Sequence, residues 1–249
     1  MQPLQCVVVG ATGAMGTVIT DRLVTRGLRV VAVGRDRAAL DTLAATSELI
    51  AVCPTDIGDD RAVADIRAAI DGPVQLALFA AGLPVRGSAD TIDPHALATA
   101  ANIKTGGVVR LLHAVRDHFV PGSRFVSIAG SLGIEPGPLD AAPGTANAAL
   151  LNLMRQISAL YGPRGVTAHT IAPGPIDTPR LRAFAARESA ETGRPVEEIW
   201  DTYVARTSLG RLPTLSEIAW LVDVLLAPEA AVLHGAVLTA DGGVRHGIL

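Results

Sequence analysis

Seven short runs of apolar, mostly β-branched residues recur along the chain: CVVVG (6–10), RVVAVG (29–34), LIAVC (49–53), VQLALF (74–79), RFVSIAG (124–130), VTAHTIA (166–172) and GAVLTA (235–240). Runs of this kind, bounded by turn residues, read as strands buried on both faces. Between them lie longer segments in which apolar positions return every three or four residues, such as MGTVITDRLVTRG (15–27) and RAVADIRAAI (61–70). Strand then helix, repeated, predicts a parallel sheet covered on both faces: a three-layer, doubly wound α/β domain of the Rossmann type. No repeat or low-complexity linker divides the pattern, so residues 1–249 are expected to form one domain. Residues 178–206 break the rhythm: they are polar and charged and end in PVEEIWDTYVAR, with Pro195 expected at a first helical position. Following a strand end, this stretch reads as a lid or as a plain surface excursion.

Composition agrees with such a domain. A chain of 249 residues that is 49% hydrophobic can bury about three quarters of its unfolded surface around one sheet. Its net charge of -3, from 21 basic and 24 acidic residues, gives no electrostatic footprint for nucleic acid or an anionic membrane. A small-molecule substrate is expected instead. With no apolar run near ~18 residues and a glycine motif already at Gly10, the expected compartment is the cytoplasm. Cys6 and Cys53 fall in the first and third strand-like runs. With another strand between them, their Cα atoms would stand ~9 to 10 Å apart, too far for a disulfide. The six histidines are scattered and no Cys/His cluster has zinc spacing, so no metal is expected.

The first strand runs into Gly10-Ala11-Thr12-Gly13-Ala14-Met15-Gly16, ahead of a helical pattern. Glycine serves here where the backbone turns tightly, where it approaches a pyrophosphate and where helix packs on strand. The spacing alone is a weak signal; its place between first strand and first helix makes it specific. The second strand ends in Gly34-Arg35-Asp36. A carboxylate at that terminus would accept from a ribose 2'-hydroxyl, but the chain offers Gly34 and then Arg35, which points to a 2'-phosphate and hence NADP(H). In the other reading, Arg35 is a solvated residue ahead of Asp36, which caps the next helix.

At this point the residues resemble the short-chain dehydrogenase/reductase family along essentially the whole chain. After the glycine motif, Asp56-Ile57 resembles the family's segment near the adenine. Phe79-Ala80-Ala81-Gly82 is similar to its N-N-A-G after the fourth strand. Asn102 falls where the family keeps a helix-four asparagine, and Pro173-Gly174-Pro175-Ile176-Asp177-Thr178 resembles the segment that holds the nicotinamide carboxamide. Gly210-Arg211-Leu212 and Asp241-Gly242-Gly243 complete the series. The resemblance also implies a homo-oligomer, a dimer or tetramer, built on the helices after Asn102 and around Asn147 and on the last strand.

Departures from the pattern concern the chemistry. The alignment places Gly130 at the family's catalytic serine, Pro143 at its tyrosine and Asn147 at its lysine; of the four-residue set, Asn102 remains. Carbonyl reduction leaves an alkoxide that must be protonated, and proline has no proton to give. Asn147 can bond a nicotinamide ribose hydroxyl but cannot supply a charge. Ser131 could orient a carbonyl or merely cap a turn, Asp140 could donate if buried, and Tyr203 on the lid segment is a third candidate. The chain's single lysine, Lys104, lies two residues after Asn102 and so turns ~200° from it on a helix, which predicts a surface or subunit-contact position. Three readings follow: an NADP(H)-dependent ketoreductase with a non-standard proton donor, placed first; a non-catalytic NADP(H)-binding homologue or partner subunit; and a cyclase, isomerase or dehydratase that reuses the pocket.

Overall fold

The computed structural model describes residues 4–82, 85 and 87–247. All seven apolar runs are strands: β1 (Gln5–Val9), β2 (Arg29–Gly34), β3 (Ile50–Pro54), β4 (Val74–Phe79), β5 (Phe119–Ile128), β6 (Thr167–Pro173) and β7 (Val237–Ala240). They form one parallel sheet in the order β3-β2-β1-β4-β5-β6-β7. Both cysteines are free and buried, with β2 between their strands.

Nine α-helices cover this sheet among the described residues: α1 (Ala14–Thr25), α2 (Arg37–Ala44), α3 (Ala62–Ala69), α4 (Pro94–Ala101), α5 (Gly107–Val115), α6 (Ala141–Tyr161), α7 (Pro179–Thr192), α8 (Val196–Ala205) and α9 (Leu215–Leu225). The two-residue period of a strand sorts the core. Val7 and Val9 point to one face, with Val31, Phe79 and Phe125, and meet Ile66, Leu111 and Leu150 from α3, α5 and α6. Cys6 and Val8 point to the other and meet Ile19, Leu23, Leu40 and Val222 from α1, α2 and α9. Arg124, midway along β5, is buried and donates to the carbonyls of Leu225 and Ala227, closing the end of α9. No described helix is long and apolar enough to cross a membrane.

Two details differ from expectation. Residues 178–206 fold into two helices, α7 and α8, and Pro195 is the cap before α8 rather than its first residue. Between α4 and α5 the chain makes a π-helical turn, Asn102–Gly106, in place of a continuous helix.

The order places the chain reversal between β1 and β4, whose neighbours lead away in opposite directions. Crevices at such a point, beyond the carboxyl ends of the strands, are where open α/β sheets bind ligands.

Candidate functional site

The glycine turn sits in that crevice. Gly10 has φ +82, a left-handed conformation, and a β-carbon there would press on the Ala80 backbone at 3.0 Å. Gly16 lies so close to the Gly10 carbonyl that no side chain fits between them. Gly13 caps α1 without a side-chain bond, so no capping side chain takes up the first-turn amides of the helix, a geometry that suits an anion. Thr12 stands beside Gly34, its Oγ1 3.3 Å from where a β-carbon would be, so the turn adjoins the end of β2. Arg35 is exposed there and makes no ion pair among the described residues. Asp36 is engaged: its Oδ1 accepts from the Ala39 amide at 3.1 Å as the cap of α2. The Thr55 amide donates to Gly34 O at 2.8 Å, which brings Asp56 and Ile57 to the same side. The Asp56 carboxylate accepts from Gly58 N at 2.8 Å, and Ile57 is buried.

A cavity of about 360 Å³ continues from this turn across the ends of β4, β5 and β6. Met15, Ala81 and Gly82 line it on one side, Pro173, Gly174, Ile176 and Thr178 on another. Gly174 carries no side chain because the Asp241 β-carbon packs where one would be, at 2.8 Å, and Asp241 in turn accepts from Gly243 N. Thr178 accepts from the Leu181 amide at 3.2 Å and so caps α7. Arg180, on the first turn of α7, lays its guanidinium over Gly82, 2.6 Å from where a β-carbon would be. That contact brings the first turn of α7 against Gly82, just after β4.

Three of the four positions aligned with the catalytic set, and Ser131 beside them, lie in the wall of this cavity. Gly130, Ser131, Pro143 and Asn147 all line it. Asn147 is buried, and its Oδ1 has no hydrogen-bond partner among the described residues. A stranded acceptor in the wall of the cavity onto which the glycine turn opens fits the donor hydroxyls of a nucleotide ribose, and the glycine cradle fits a pyrophosphate. Ser131 is buried at the start of a 3-10 turn, Ser131–Gly133, and its hydroxyl makes no hydrogen bond among the described residues. Asp140 is buried too, with Oδ2 accepting from Gly137 N at 3.0 Å, which ties the loop ahead of α6. Tyr203 of α8 reaches the cavity from a small cluster with Ala185, Ile199 and Leu212. Among the described residues, no cluster of His, Cys, Asp and Glu could hold a metal ion.

Two neighbours exchange the places expected of them. Asn102 does not line the cavity. Its Nδ2 donates to Gly58 O at 2.9 Å and its Oδ1 accepts from Arg110 at 2.9 Å, so it fastens the loop after β3 to α5. Lys104, expected at the surface, is 5% exposed and lines the cavity, with Nζ donating to Ile128 O at 3.0 Å. The opposite orientation of the two side chains is as the helix geometry predicts; the faces are reversed. Nζ also stands 6.0 Å from the centroid of the Phe79 ring. Burial, with the Arg180 charge adding to it, lowers the lysine from 10.5 to about 8. Lys104 and Arg180 are the residues that sequence reasoning missed. The signal for the first was its being the only lysine in the chain.

Known proteins of similar sequence and shape bear on this geometry. Residues 10–245 match the profile of the family described as enoyl-(acyl carrier protein) reductase. The 2-keto-3-deoxy-L-fuconate dehydrogenase of Xanthomonas campestris pv. campestris is 29% identical over 98% of this chain and 80% of its own. The short-chain reductase protein NovJ of Streptomyces niveus is 27% identical over 95% of this chain and 92% of its own. The crystal structure of L-sorbose reductase from Gluconobacter frateurii, complexed with NADPH and L-sorbose, superposes with a TM-score of 0.89 at 17% identity, covering 99% of this chain and 98% of that one. By this kinship the chain belongs to the short-chain dehydrogenase/reductase family, whose named relatives here are oxidoreductases.

Proposed function

We propose that the protein is an NADP(H)-dependent oxidoreductase that interconverts a small carbonyl compound and its alcohol, with a proton donor other than tyrosine. The observation that carries the cofactor reading is the end of β2: Arg35 is exposed beside the glycine turn, while the Asp36 carboxylate is engaged in capping α2. A guanidinium there recognises a 2'-phosphate with charge-assisted hydrogen bonds. The turn of Gly10, Gly13 and Gly16 takes the pyrophosphate, Asp56 and Ile57 flank the adenine, and the stranded Oδ1 of Asn147 accepts from a ribose hydroxyl. Residues 173–178 hold the nicotinamide end. When bound, the dinucleotide supplies or accepts a hydride. The chain's own residues orient the carbonyl, with Ser131 placed to donate to its oxygen, and exclude water as α7 and α8 close over the cavity.

Titration with NADPH and NADH, followed by a panel of ketones and keto acids, tests this reading. NADPH is expected to bind at least tenfold tighter than NADH and to be consumed with at least one carbonyl compound. Binding without turnover favours the non-catalytic homologue. Turnover of a substrate without any nicotinamide favours a cyclase, isomerase or dehydratase.

A further inference from the structure

The only lysine of the chain is folded into the cavity wall. Taking an ammonium out of water is unfavourable unless a carboxylate or several acceptors receive it. Among the described residues Lys104 has no carboxylate partner, and one acceptor, Ile128 O, takes one of its three protons. A purely structural tie between the π turn and β5 needs a donor but no charge. The packing around it nevertheless brings Nζ into the cavity wall. Phe79 presents its ring, Gly107 has no side chain and lets α5 close on that ring, and the π turn places Nζ above the last residue of β5. The same cavity is lined by the two residues that have no proton to give, Pro143 and Gly130.

We propose that Lys104 is the proton donor of this cavity, entering from the turn before α5 in place of a phenol on α6. The proposal rests on the carbonyl-reductase reading above. As hydride from a reduced nicotinamide adds to the carbonyl carbon, the π pair of the C=O bond moves onto oxygen. An N–H bond of the Lys104 ammonium breaks, its proton goes to that oxygen, and its electron pair stays on nitrogen. The products are the alcohol, an oxidised nicotinamide and a neutral amine, which regains its proton from water. In the oxidative direction the neutral amine takes the hydroxyl proton. A donor that titrates near 8 is matched to both directions near neutral pH. Glu135 and Asp140 face the cavity from the loop ahead of α6, Arg180, Tyr203 and Arg206 from the lid helices, and Arg245 and His246 from the chain end. Of these, Arg180 is the group whose charge reaches Lys104.

Because there is one lysine, selective 15N labelling of lysine gives one side-chain resonance on the full chain. Titrated from pH 6 to 11 with NADP present, that resonance is expected to show a midpoint near 8 and to move when a carbonyl substrate is added. A midpoint at 10 or above, or no response to substrate, overturns the proposal, and this readout needs no variant to fold. With a substrate identified in the carbonyl panel, Lys104→Met is expected to lower kcat about 100-fold, to erase the alkaline limb near pH 8 and to leave the NADPH Kd within twofold. Full kcat with the limb unchanged in that variant overturns the donor role while the oxidoreductase reading stands. A wild-type chain that binds NADPH but reduces no carbonyl, or binds none, overturns both.

Discussion

The amide nitrogen of Asn147 stands 2.9 Å from where a β-carbon on Gly130 would be. The residue at the family's serine position and the residue at its lysine position are therefore coupled, and restoring one alone disturbs the other. Gly130→Ser is expected to displace the Asn147 amide, lower stability by about 1 to 3 kcal/mol and bring no gain in turnover. Thermal denaturation and steady-state kinetics of the single variant check this. An unchanged Tm with raised kcat would show that the serine alone was missing.

Gly16 tests the glycine cradle, because any side chain there overlaps the Gly10 carbonyl and the Ala11 backbone. Gly16→Ala is expected to cost roughly 3 kcal/mol or more and to abolish dinucleotide binding, since α1 must move off β1. Gly27 is the control: its φ is +76, but nothing stands within 4 Å of an added β-carbon. Gly27→Ala should cost about 1 to 2 kcal/mol of backbone strain and leave binding intact. Equal effects at the two positions would mean that the turn is not a ligand cradle.

Arg35 is expected to discriminate the cofactors. Charge-assisted bonds to a 2'-phosphate contribute about 1.5 to 3 kcal/mol, so Arg35→Ala should weaken NADPH by roughly 10- to 150-fold and NADH hardly at all. Calorimetric titration of both nucleotides reads the difference. Equal loss for the two would return Arg35 to the status of a solvated residue.

The sheet and its helices were legible because buried parallel strands write continuous apolar runs, and the glycine turn because steric closeness leaves no other residue. Asn102 and Lys104 were misplaced for a physical reason. The segment NIKTGG carries no apolar spacing from which a phase could be read, and its π turn holds one residue more per turn than an α-helix would. Burial of a lysine with no carboxylate partner among the described residues also runs against the ordinary rule that lysine stays in water. Residues 179–192 read as irregular because α7 buries only Ala185 fully, so its amphipathic signal is faint.

His169 gives the fold an acid-sensitive point. Its ring is buried and held from both sides: Nδ1 meets Leu233 O at 3.0 Å and Nε2 meets Thr167 Oγ1 at 2.8 Å. Burial above all, with the Arg124 and His234 charges, pushes it from 6.5 down to about 4, against the opposing pull of the Leu233 carbonyl. Between those values the unfolded chain binds the proton and the folded chain does not, so stability falls as pH drops from about 6.5 to 4. A shift of that size sets an upper bound of about 3 kcal/mol. Denaturant melts of His169→Gln should show a flatter profile in that window, and parallel profiles for variant and wild type would remove His169 as the cause.

Lys104 should weaken the fold that carries it. Its folded value near 8 lies below the free value of 10.5, so between the two the unfolded chain binds a proton that the folded chain lacks. Stability from this group therefore rises as pH goes from about 8 to 10.5 and is lowest, and constant, below 8. The shift corresponds to about 3 kcal/mol of strain carried at neutral pH. Lys104→Met keeps all but the last atom of the side chain's length and removes the charge, so at pH 7 it is expected to be more stable than wild type by a sizeable part of that amount. The gain should shrink towards zero by pH 10.5, which separates it from better packing, a pH-independent effect. Denaturant melts of the two chains at pH 7 and 10.5 read the difference directly. A variant less stable at pH 7 would mean that the ammonium holds the π turn in place, and a variant more stable but slower would show stability given up at the residue on which proton transfer depends.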